Sequence, residues 1–192
     1  MSNGRNFFSK YKIFIDLLVS LISLFPKNFR KFVFIKLRYM GGKIGVLLRY
    51  VFLKTIAIEL GDNVSIFEGV FLLNVENISI GNNVSIHPMS YIEGYGGLKI
   101  GDNVSIAHAT TLLTVNHNFG DEVVPIKYQG LDARPLIIED NVWLGAKTTI
   151  LGGNVVRSGT IIAAGAVVTS DTENNYIYSG IPAKKLKHRF ET

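Results

Sequence analysis

The sequence contains no cysteine among its 192 residues, and it has only five prolines and one tryptophan. Without thiols the chain cannot form a disulfide framework, a thiolate zinc site or a cysteine acyl-enzyme. Charged residues make up only 18% of the chain and hydrophobic residues 47%, which excludes an intrinsically disordered protein. The length allows one domain with a packed core, with or without an appended segment.

Acidic residues are almost missing from the first part of the chain. Residues 1–55 hold eleven Lys and Arg but one acid, Asp16, for a net charge of +10, whereas residues 56–192 carry −5. This asymmetry predicts two parts with different surroundings. We therefore divide the chain into a basic, amphipathic helical extension (1–55) and a main domain (56–192).

Helical periodicity runs through the extension. From Phe8 to Phe25 polar residues recur every three or four positions, which predicts a helix that ends at Pro26. A second helix is predicted from Lys27 to about Met40, where Gly41-Gly42 ends it. The apolar stretch is short for a membrane span, and no signal-peptide cleavage site follows it, so we expect a cytoplasmic protein.

The extension has two interpretations at this stage. Its helices either cap the main domain and pack on a neighbouring subunit, or they lie on an anionic membrane surface at the inner face of the membrane. Residues 27–54 contribute eight Lys and Arg and no acid, which would favour such a surface. Nucleic-acid binding is not expected, because the basic residues alternate with large aliphatics and match no known reader motif.

An internal repeat organises the rest of the chain. Similar six-residue strings begin at Gly61, Gly81 and Gly101, 20 residues apart. Aliphatic residues recur every six positions on both sides of one long gap: Leu60, Ile66, Leu72, Ile80, Ile86, Ile92, Ile100, Ile106, Leu112, then Ile138, Leu144, Ile150, Val156, Ile162 and Val168. A period of six does not match an α-helix but suits a short strand and a turn, three of which form one triangular coil. The Gly-Asp-Asn and Gly-Asn-Asn triplets would supply corner residues that tolerate positive φ.

The repeat is interrupted between Leu112 and Ile138. A solenoid accommodates such an insertion as a loop that leaves its surface, and long loops on rigid scaffolds often carry function. The predicted loop, 113–136, opens with Thr-Val-Asn-His and contains His117. Imidazole is the side chain whose pKa suits a general base near neutral pH, so His117 is a residue of this loop with chemistry to offer. The alternative is a histidine that only caps the loop.

These features resemble the hexapeptide-repeat acyltransferases, a family that includes galactoside, maltose and serine acetyltransferases. The resemblance covers about residues 58–187 and is most specific at Pro135–Ala146, Ala163–Thr169 and Gly180–Lys185. Within the family, the likeness is greatest to capsule, exopolysaccharide and lipopolysaccharide O-acetyltransferases, which often have a helical N-terminal extension. The resemblance implies an all-β fold, a left-handed parallel β-helix with an N-terminal helical extension and a short C-terminal helix. The left hand is the family's property, since ordinary crossover chirality favours the opposite hand.

The resemblance also implies roles for individual residues on the acceptor side. His117 stands where the family has its catalytic base. Glu93 resembles an acidic residue that orients this base, although it is equally explained as a solvated corner residue. His87 falls near an asparagine position that helps to hold the acceptor. His108 is interpreted as an ordinary surface residue.

Acetyl-CoA is the donor that the resemblance implies. Matching positions for its pantetheine arm and phosphates are Ala146, Ala164, Thr169, Lys184 and Lys187. The small residues are also expected in any tight coil, and the lysines are also explained as a solvated helix face. Ser170 stands where the family often has a lysine, so that contact is in doubt.

The implied protein is a homotrimer with its acetyl-CoA groove between subunits, which would acetylate a sugar hydroxyl in surface polysaccharide biosynthesis. Two alternatives remain open: an N-acetyltransferase of an amino sugar, and a non-catalytic β-helix scaffold that docks on membranes. The related γ-class carbonic anhydrases bind zinc through three histidines, two of them five residues apart. His108 and His117 are nine apart, so no metal is expected.

Overall fold

The computed structural model describes residues 3–191, and the first 54 residues contribute three helices. These are α1 (Asn3–Ser23), α2 (Lys27–Lys36) and α3 (Gly42–Lys54), with a 3-10 turn at Leu37–Tyr39. The first helix ends before Pro26, as predicted, whereas the second was predicted to reach about Met40 and ends as an α-helix at Lys36, with the 3-10 turn between it and Gly41-Gly42. The third helix, α3, was not predicted, because the sequence patterns indicated no helix after the glycine pair. No helix within residues 3–191 is long and apolar enough to cross a membrane.

Residues 59–188 form a β-helix with three faces, each a sheet of short parallel strands. The first sheet contains β1 (Glu59–Leu60), β4 (Ile78–Ile80), β7 (Leu98–Ile100), β12 (Leu136–Ile138) and β15 (Val155–Val156). The second contains β2 (Ser65–Ile66), β5 (Ser85–Ile86), β8 (Ser105–Ile106), β13 (Trp143–Leu144), β16 (Ile161–Ile162) and β18 (Tyr176–Ser179), with β19 (Lys184–His188) antiparallel at its edge. The third contains β3 (Phe71–Leu73), β6 (Tyr91–Glu93), β9 (Thr111–Leu113), β14 (Thr149–Leu151) and β17 (Val167–Val168).

The strand register confirms the six-residue period. Ser65 pairs with Ser85, 20 residues on, whereas Thr149 pairs with Val167, 18 residues on. The early coils therefore contain three hexads and two extra residues, and the later ones three hexads alone. All fifteen aliphatic residues of the period point inward and are 0–4% exposed. At full burial each contributes roughly 1.5–3 kcal/mol of transfer free energy, which makes this column the main stabilising feature.

The corner residues also behave as predicted. Asn63, Asn83, Asn103 and Asn141 occupy equivalent corners with φ between 56° and 58°. Asparagine adopts this left-handed conformation more readily than other residues with a side chain, apart from aspartate. The repeated Asn therefore sets the corner between the first and second sheets.

Arg49 joins the extension to the β-helix. α3 packs on β1 and β2, and the Arg49 side chain is fully buried at this junction. Its Nε donates to the Ile66 carbonyl at 2.9 Å, and one terminal nitrogen donates to the carbonyls of Leu37 (2.8 Å) and Met40 (2.7 Å). One guanidinium thus ties the first coil to the turn between α2 and α3.

The predicted C-terminal helix is wrong. Residues 184–188 form β19, which pairs antiparallel with β18. Lysine and leucine favour a helix locally, but the turn at Gly180 folds the chain back so that it lies beside β18. Pairing with an existing sheet edge outweighs the weak local preference.

Candidate active site

The long loop folds as a β-hairpin that leaves the coil at the end of the third sheet. Its strands are β10 (Val115–His117) and β11 (Leu131–Ala133). At the root, the Arg134 N–H donates to the Thr114 carbonyl at 2.9 Å. Glycines in the neighbouring coils make room for this root, since a Cβ on Gly96 would collide with the Thr114 carbonyl and one on Gly152 with that of Arg134. The hairpin is therefore built into the β-helix at its base.

His117 is the last residue of β10, and its side chain is exposed. Among the side chains of residues 8–191, none forms a hydrogen bond or ion pair with its imidazole. The histidine lines an open cleft of about 1040 Å³, together with Asn116, Asn118, Phe119, Gly120, Asp121, Val124, Tyr128, Gln129, Asp132 and Arg134. An unengaged imidazole at a cleft can accept a proton from a bound hydroxyl or amine.

Gln129 organises the far end of the hairpin. Its side-chain amide donates to the carbonyls of Asp121 (2.9 Å) and Val124 (2.6 Å), and its carbonyl accepts the Asp121 N–H at 2.9 Å. The Asp121 carboxylate accepts the N–H groups of Val124 and Val123, which lowers the pKa of this carboxyl below its usual value. These bonds give an exposed loop a defined shape and so a defined cleft.

Glu93 lies beneath the hairpin root rather than against His117. Its side chain is 6% exposed, and one carboxylate oxygen accepts the Thr114 hydroxyl (2.9 Å) and N–H (3.1 Å). The other oxygen accepts the Tyr95 N–H. Both oxygens are therefore engaged away from the imidazole. Glu93 fixes Thr114, three residues before His117, and reaches the histidine only through the backbone of β10.

His87 lies at the opposite end of the third sheet from the hairpin. It follows β5, at the corner between the second and third sheets, and its ring stacks on Phe67 with centroids 4.9 Å apart. His108 lies at the same corner one coil later, and its side chain is exposed. Within one chain the structure therefore does not bring His87 beside His117.

Ala146 and Ala164 lie at this same corner, on successive coils. The Gly165 N–H donates to the Ala146 carbonyl at 2.9 Å, which places the two turns directly on each other. The N–H groups of both alanines donate no hydrogen bond to the described residues. Each alanine is at least partly exposed, so a ligand along the corner can reach these donors.

The C-terminal segment continues the corner. The Ala183 N–H donates to the Val167 carbonyl at 2.7 Å, so Lys184 enters β19 directly beyond the Ala164 turn. Lys184 and Lys187 are exposed and form no ion pair among the described residues, whereas Lys185 bonds Glu173 at 2.7 Å. The structure thus places Ala146, Ala164 and Lys184 along one edge of the β-helix, and Lys187 lies further along β19, opposite Ile177.

Thr169 lies apart from all of these residues. It follows β17 at the far end of the third sheet, in line with the hairpin root two coils earlier. The third sheet therefore separates two groups: Ala146, Ala164 and the lysines at one end, and Thr169 with His117 at the other. A single chain does not assemble the whole predicted site.

Sequence patterns missed two exposed aromatic residues in the cleft. Phe119 is 77% and Tyr128 71% exposed, and both line the same concave surface as His117. The available signal was their position, since aromatics in a long loop of a rigid scaffold rarely serve packing. Within residues 8–191 no three His, Asp or Glu side chains converge on one point.

Comparison with known proteins agrees with this architecture. A family model described as the hexapeptide repeat of succinyl-transferase matches residues 135–170. Residues 135–170 therefore carry the hexapeptide repeat that this model describes. A maltose O-acetyltransferase from Clostridium difficile has a similar fold, with a TM-score of 0.72 and 22% identity, over 91% of this chain and 89% of that one. Galactoside acetyltransferase in complex with coenzyme A has a TM-score of 0.68 and 25% identity, over 85% of this chain and 80% of that one.

A curated relative of this hexapeptide-repeat chain is a 2,3,4,5-tetrahydropyridine-2,6-dicarboxylate N-acetyltransferase from Staphylococcus aureus. It is 48% identical over 59 residues, which is 31% of this chain. The match spans 25% of the relative's own length, so this chain resembles about a quarter of that protein.

Proposed function

We propose that this protein is an acetyltransferase that moves an acetyl group from acetyl-CoA to a sugar hydroxyl, with His117 as general base. The observation that carries the proposal is an unengaged histidine on a hairpin inserted into an otherwise regular hexapeptide β-helix. The hairpin is anchored at its root by Glu93 and shaped at its tip by Gln129. Such support is what a catalytic group on a loop requires.

His117 would remove the proton of the acceptor hydroxyl as its oxygen attacks the thioester carbonyl carbon. The carbon–sulfur bond then breaks, and the coenzyme A thiolate leaves with the proton that the imidazolium returns. The products are an acetyl ester and a free thiol. A base of this kind accelerates acyl transfer by about 10²- to 10⁴-fold.

The donor would lie along the corner of Ala146 and Ala164. Small side chains there leave room for a narrow pantetheine arm, and the two free N–H groups can donate to its amide carbonyls. Lys184 and Lys187 would meet the phosphates. The complex of galactoside acetyltransferase with coenzyme A supports this choice of donor.

The separation of His117 from this corner supports an oligomer. A second copy that applies its hairpin to the corner of the first would complete the site, whereas one chain alone leaves the base and the donor at opposite ends of a sheet. We propose a homotrimer, because three such contacts close into a ring.

A sugar is the proposed acceptor because of the chemistry of the cleft. Phe119 and Tyr128 offer exposed ring faces on which a sugar can stack, and Asn116 and Asn118 offer amide groups for its hydroxyls. The similarity to a maltose O-acetyltransferase also supports a sugar as the acceptor. We place the acceptor among precursors of surface polysaccharide, acetylated in the cytoplasm, where acetyl-CoA is made.

An amine acceptor is the second candidate, favoured by the N-acetyltransferase among the relatives. The same base and donor corner would serve, and only the acceptor cleft would differ. A non-catalytic scaffold is the third hypothesis and predicts no acetyl-CoA binding.

Free thiol release tests these hypotheses. Purified protein is incubated with acetyl-CoA and a panel of sugars and amino sugars, and thiols are followed with a reactive dye. The chain has no cysteine and so adds no background. We expect acceptor-dependent release that His117→Ala reduces by at least about 10²-fold, while acetyl-CoA binding measured by calorimetry is retained.

Glu122→Ala is the matched control, since this exposed residue belongs to the same hairpin, does not line the cleft and has no side-chain hydrogen bond or ion pair among the described residues. It should keep full activity. Mild alkali separates the acceptor classes, because it cleaves an acetyl ester and leaves an amide intact. No thiol release with any acceptor, together with no acetyl-CoA binding, would contradict the proposal and favour the scaffold.

A further inference from the structure

The extension exposes apolar residues on the side that faces away from the β-helix. α1 packs against α3 through a face that includes buried Ile15. On its opposite side Ile13, Leu17 and Leu21 are exposed, Ile13 to 89%. A helix that is apolar on two sides is normally covered on both. The second side of α1 therefore lacks a cover.

α2 repeats this arrangement. Phe34 is buried beneath it, while Phe29 and Phe32 are exposed. The rings of Phe25 and Phe29 contact each other with centroids 5.4 Å apart, which joins the exposed sides of α1 and α2. We call this continuous surface the outer face and define it by Ile13, Leu17, Leu21, Phe25, Phe29 and Phe32.

Free positive charge accompanies the outer face. Lys36 lies over the Phe32 ring at 5.4 Å, and Lys10 is one turn before Ile13 and two turns before Leu17 on the same side of α1. Lys10, Lys36 and Lys43 are exposed and form no ion pair among residues 8–191. The single acid of the extension, Asp16, lies 3.5 Å from Lys12.

Not every cation of the extension is available. Lys31 bonds Glu76 at 2.9 Å, and Arg30 donates to the Thr55 carbonyl at 2.6 Å. Arg49 is buried. These three cations therefore add nothing to the charge beside the outer face, where exposed Lys10 and Lys36 lie.

We propose that the outer face binds an anionic lipid bilayer, with its aromatic and aliphatic side chains in the interface and its lysines on the lipid headgroups. Amphipathic helices with basic and aromatic residues bind membranes in this way without crossing them. Two copies that packed outer face on outer face would bring their unpaired lysines together, which disfavours a symmetric dimer through this surface as the cover. This inference is independent of acetyl transfer.

Vesicle sedimentation tests it on the full chain. The protein is mixed with vesicles of phosphatidylcholine and phosphatidylglycerol, or of phosphatidylcholine alone. We expect binding to the anionic vesicles that falls as salt rises. Lys10→Glu with Lys36→Glu should weaken it by at least about tenfold, and Phe29→Ser with Phe32→Ser by a similar factor.

Matched controls lie on the β-helix. Lys99→Glu with Lys127→Glu makes the same charge change at exposed sites, and Phe190→Ser removes an exposed aromatic near the end of β19. Both should bind vesicles as the unchanged protein does. Light scattering of every variant shows whether the outer face joins copies of this chain instead.

Tryptophan fluorescence provides a second test, in which binding produces a new signal and no variant has to lose binding. Phe32→Trp in a Trp143→Phe background puts the only tryptophan on the outer face. Its fluorescence should shift to shorter wavelength and be quenched by brominated lipid when anionic vesicles are added. Unshifted fluorescence, equal binding to neutral and anionic vesicles, or a change of molar mass in the Phe29→Ser, Phe32→Ser variant would each overturn the proposal.

Discussion

The β-helix and the helical extension treat their large apolar residues in opposite ways. In the β-helix every aliphatic of the six-residue period points inward, where the coils above and below cover it. In the extension the helices form a single layer. The sides of α1 and α2 that face α3 are covered, whereas residues on their other sides, such as Leu17, remain exposed. A solenoid buries its apolar residues by stacking one coil on the next. A single layer of helices can bury the residues of its second side only against another molecule.

The largest expected effect comes from removing an inward aliphatic. Leu144→Ala should lower the free energy of unfolding by about 2–5 kcal/mol, because the coils cannot close around the cavity. Leu17→Ala in α1 is the matched change on the exposed side and should cost less than about 0.5 kcal/mol. Denaturant unfolding measures both. Equal losses would mean that the outer side of α1 is covered within the protein.

The next largest effect is expected from a substitution of Arg49, because this residue joins the two regions. Arg49→Met would leave the carbonyls of Ile66, Leu37 and Met40 without their buried donor, at a cost of about 3 kcal/mol. Hydrogen exchange should then rise across α2 and α3 but not in the strands after β4. A uniform rise through every coil would contradict the idea of a separable extension.

Within the β-helix, the hairpin is the segment that departs from the repeat, and it can be compared with the regular coils. Glu93→Gln keeps the size of the side chain but weakens its bonds to Thr114, by about 1–2 kcal/mol. We expect faster hydrogen exchange in β10 and β11 and a lower kcat, with acetyl-CoA binding unchanged. If Glu93 only stabilised the coil, the unfolding midpoint would fall while kcat and hairpin exchange stayed constant.

The smallest effect concerns the ion pair of Lys31 and Glu76, which ties α2 to the first coil. The hydrogen bond from Lys31 lowers the pKa of the Glu76 carboxyl below its usual value. A lowered pKa stabilises the fold above the unfolded-state pKa, and the gain disappears as pH falls through the folded-state pKa. Glu76→Gln should therefore cost at most about 1 kcal/mol at neutral pH.

Unfolding midpoints across a pH series check this last prediction. The difference between Glu76→Gln and the unchanged protein should vanish in acid. Arg157→Gln, which breaks the exposed pair with Glu139 far from the extension, serves as the comparison. A difference that persists in acid would show that the Glu76 side chain acts through packing.

The two regions also differ in how far the sequence predicts them. The period at Ile106 or Leu144 specifies strand, turn and core together, because each hexad repeats the same requirement. β19 and α3 are not part of a repeat, so no second copy of their sequence pattern indicates their structure. The Lys-Lys-Leu-Lys segment favours a helix locally, and only the position of β18 beside it makes it a strand; α3 follows directly on a glycine break with no capping side chain.

The sequence allowed candidate site residues to be proposed one by one, but not their arrangement. The interruption of the repeat points to His117, and the family resemblance points to Ala146 and Ala164. Neither reveals that the hairpin and the donor corner lie at opposite ends of the third sheet, because that follows from which corner each hexad occupies. Burial of Glu93 under Thr114 is equally a property of the folded coil.

Mixed oligomers test the central claim, that two copies of the chain supply the base and the donor corner of each site. His117→Ala chains and Ala164→Phe chains, each expected to be inactive alone, are co-expressed with different tags and purified as mixed assemblies. The account predicts that acceptor-dependent thiol release returns in the mixture, since the intact hairpin of one chain meets the intact corner of another. A mixed assembly as inactive as its parents would contradict it.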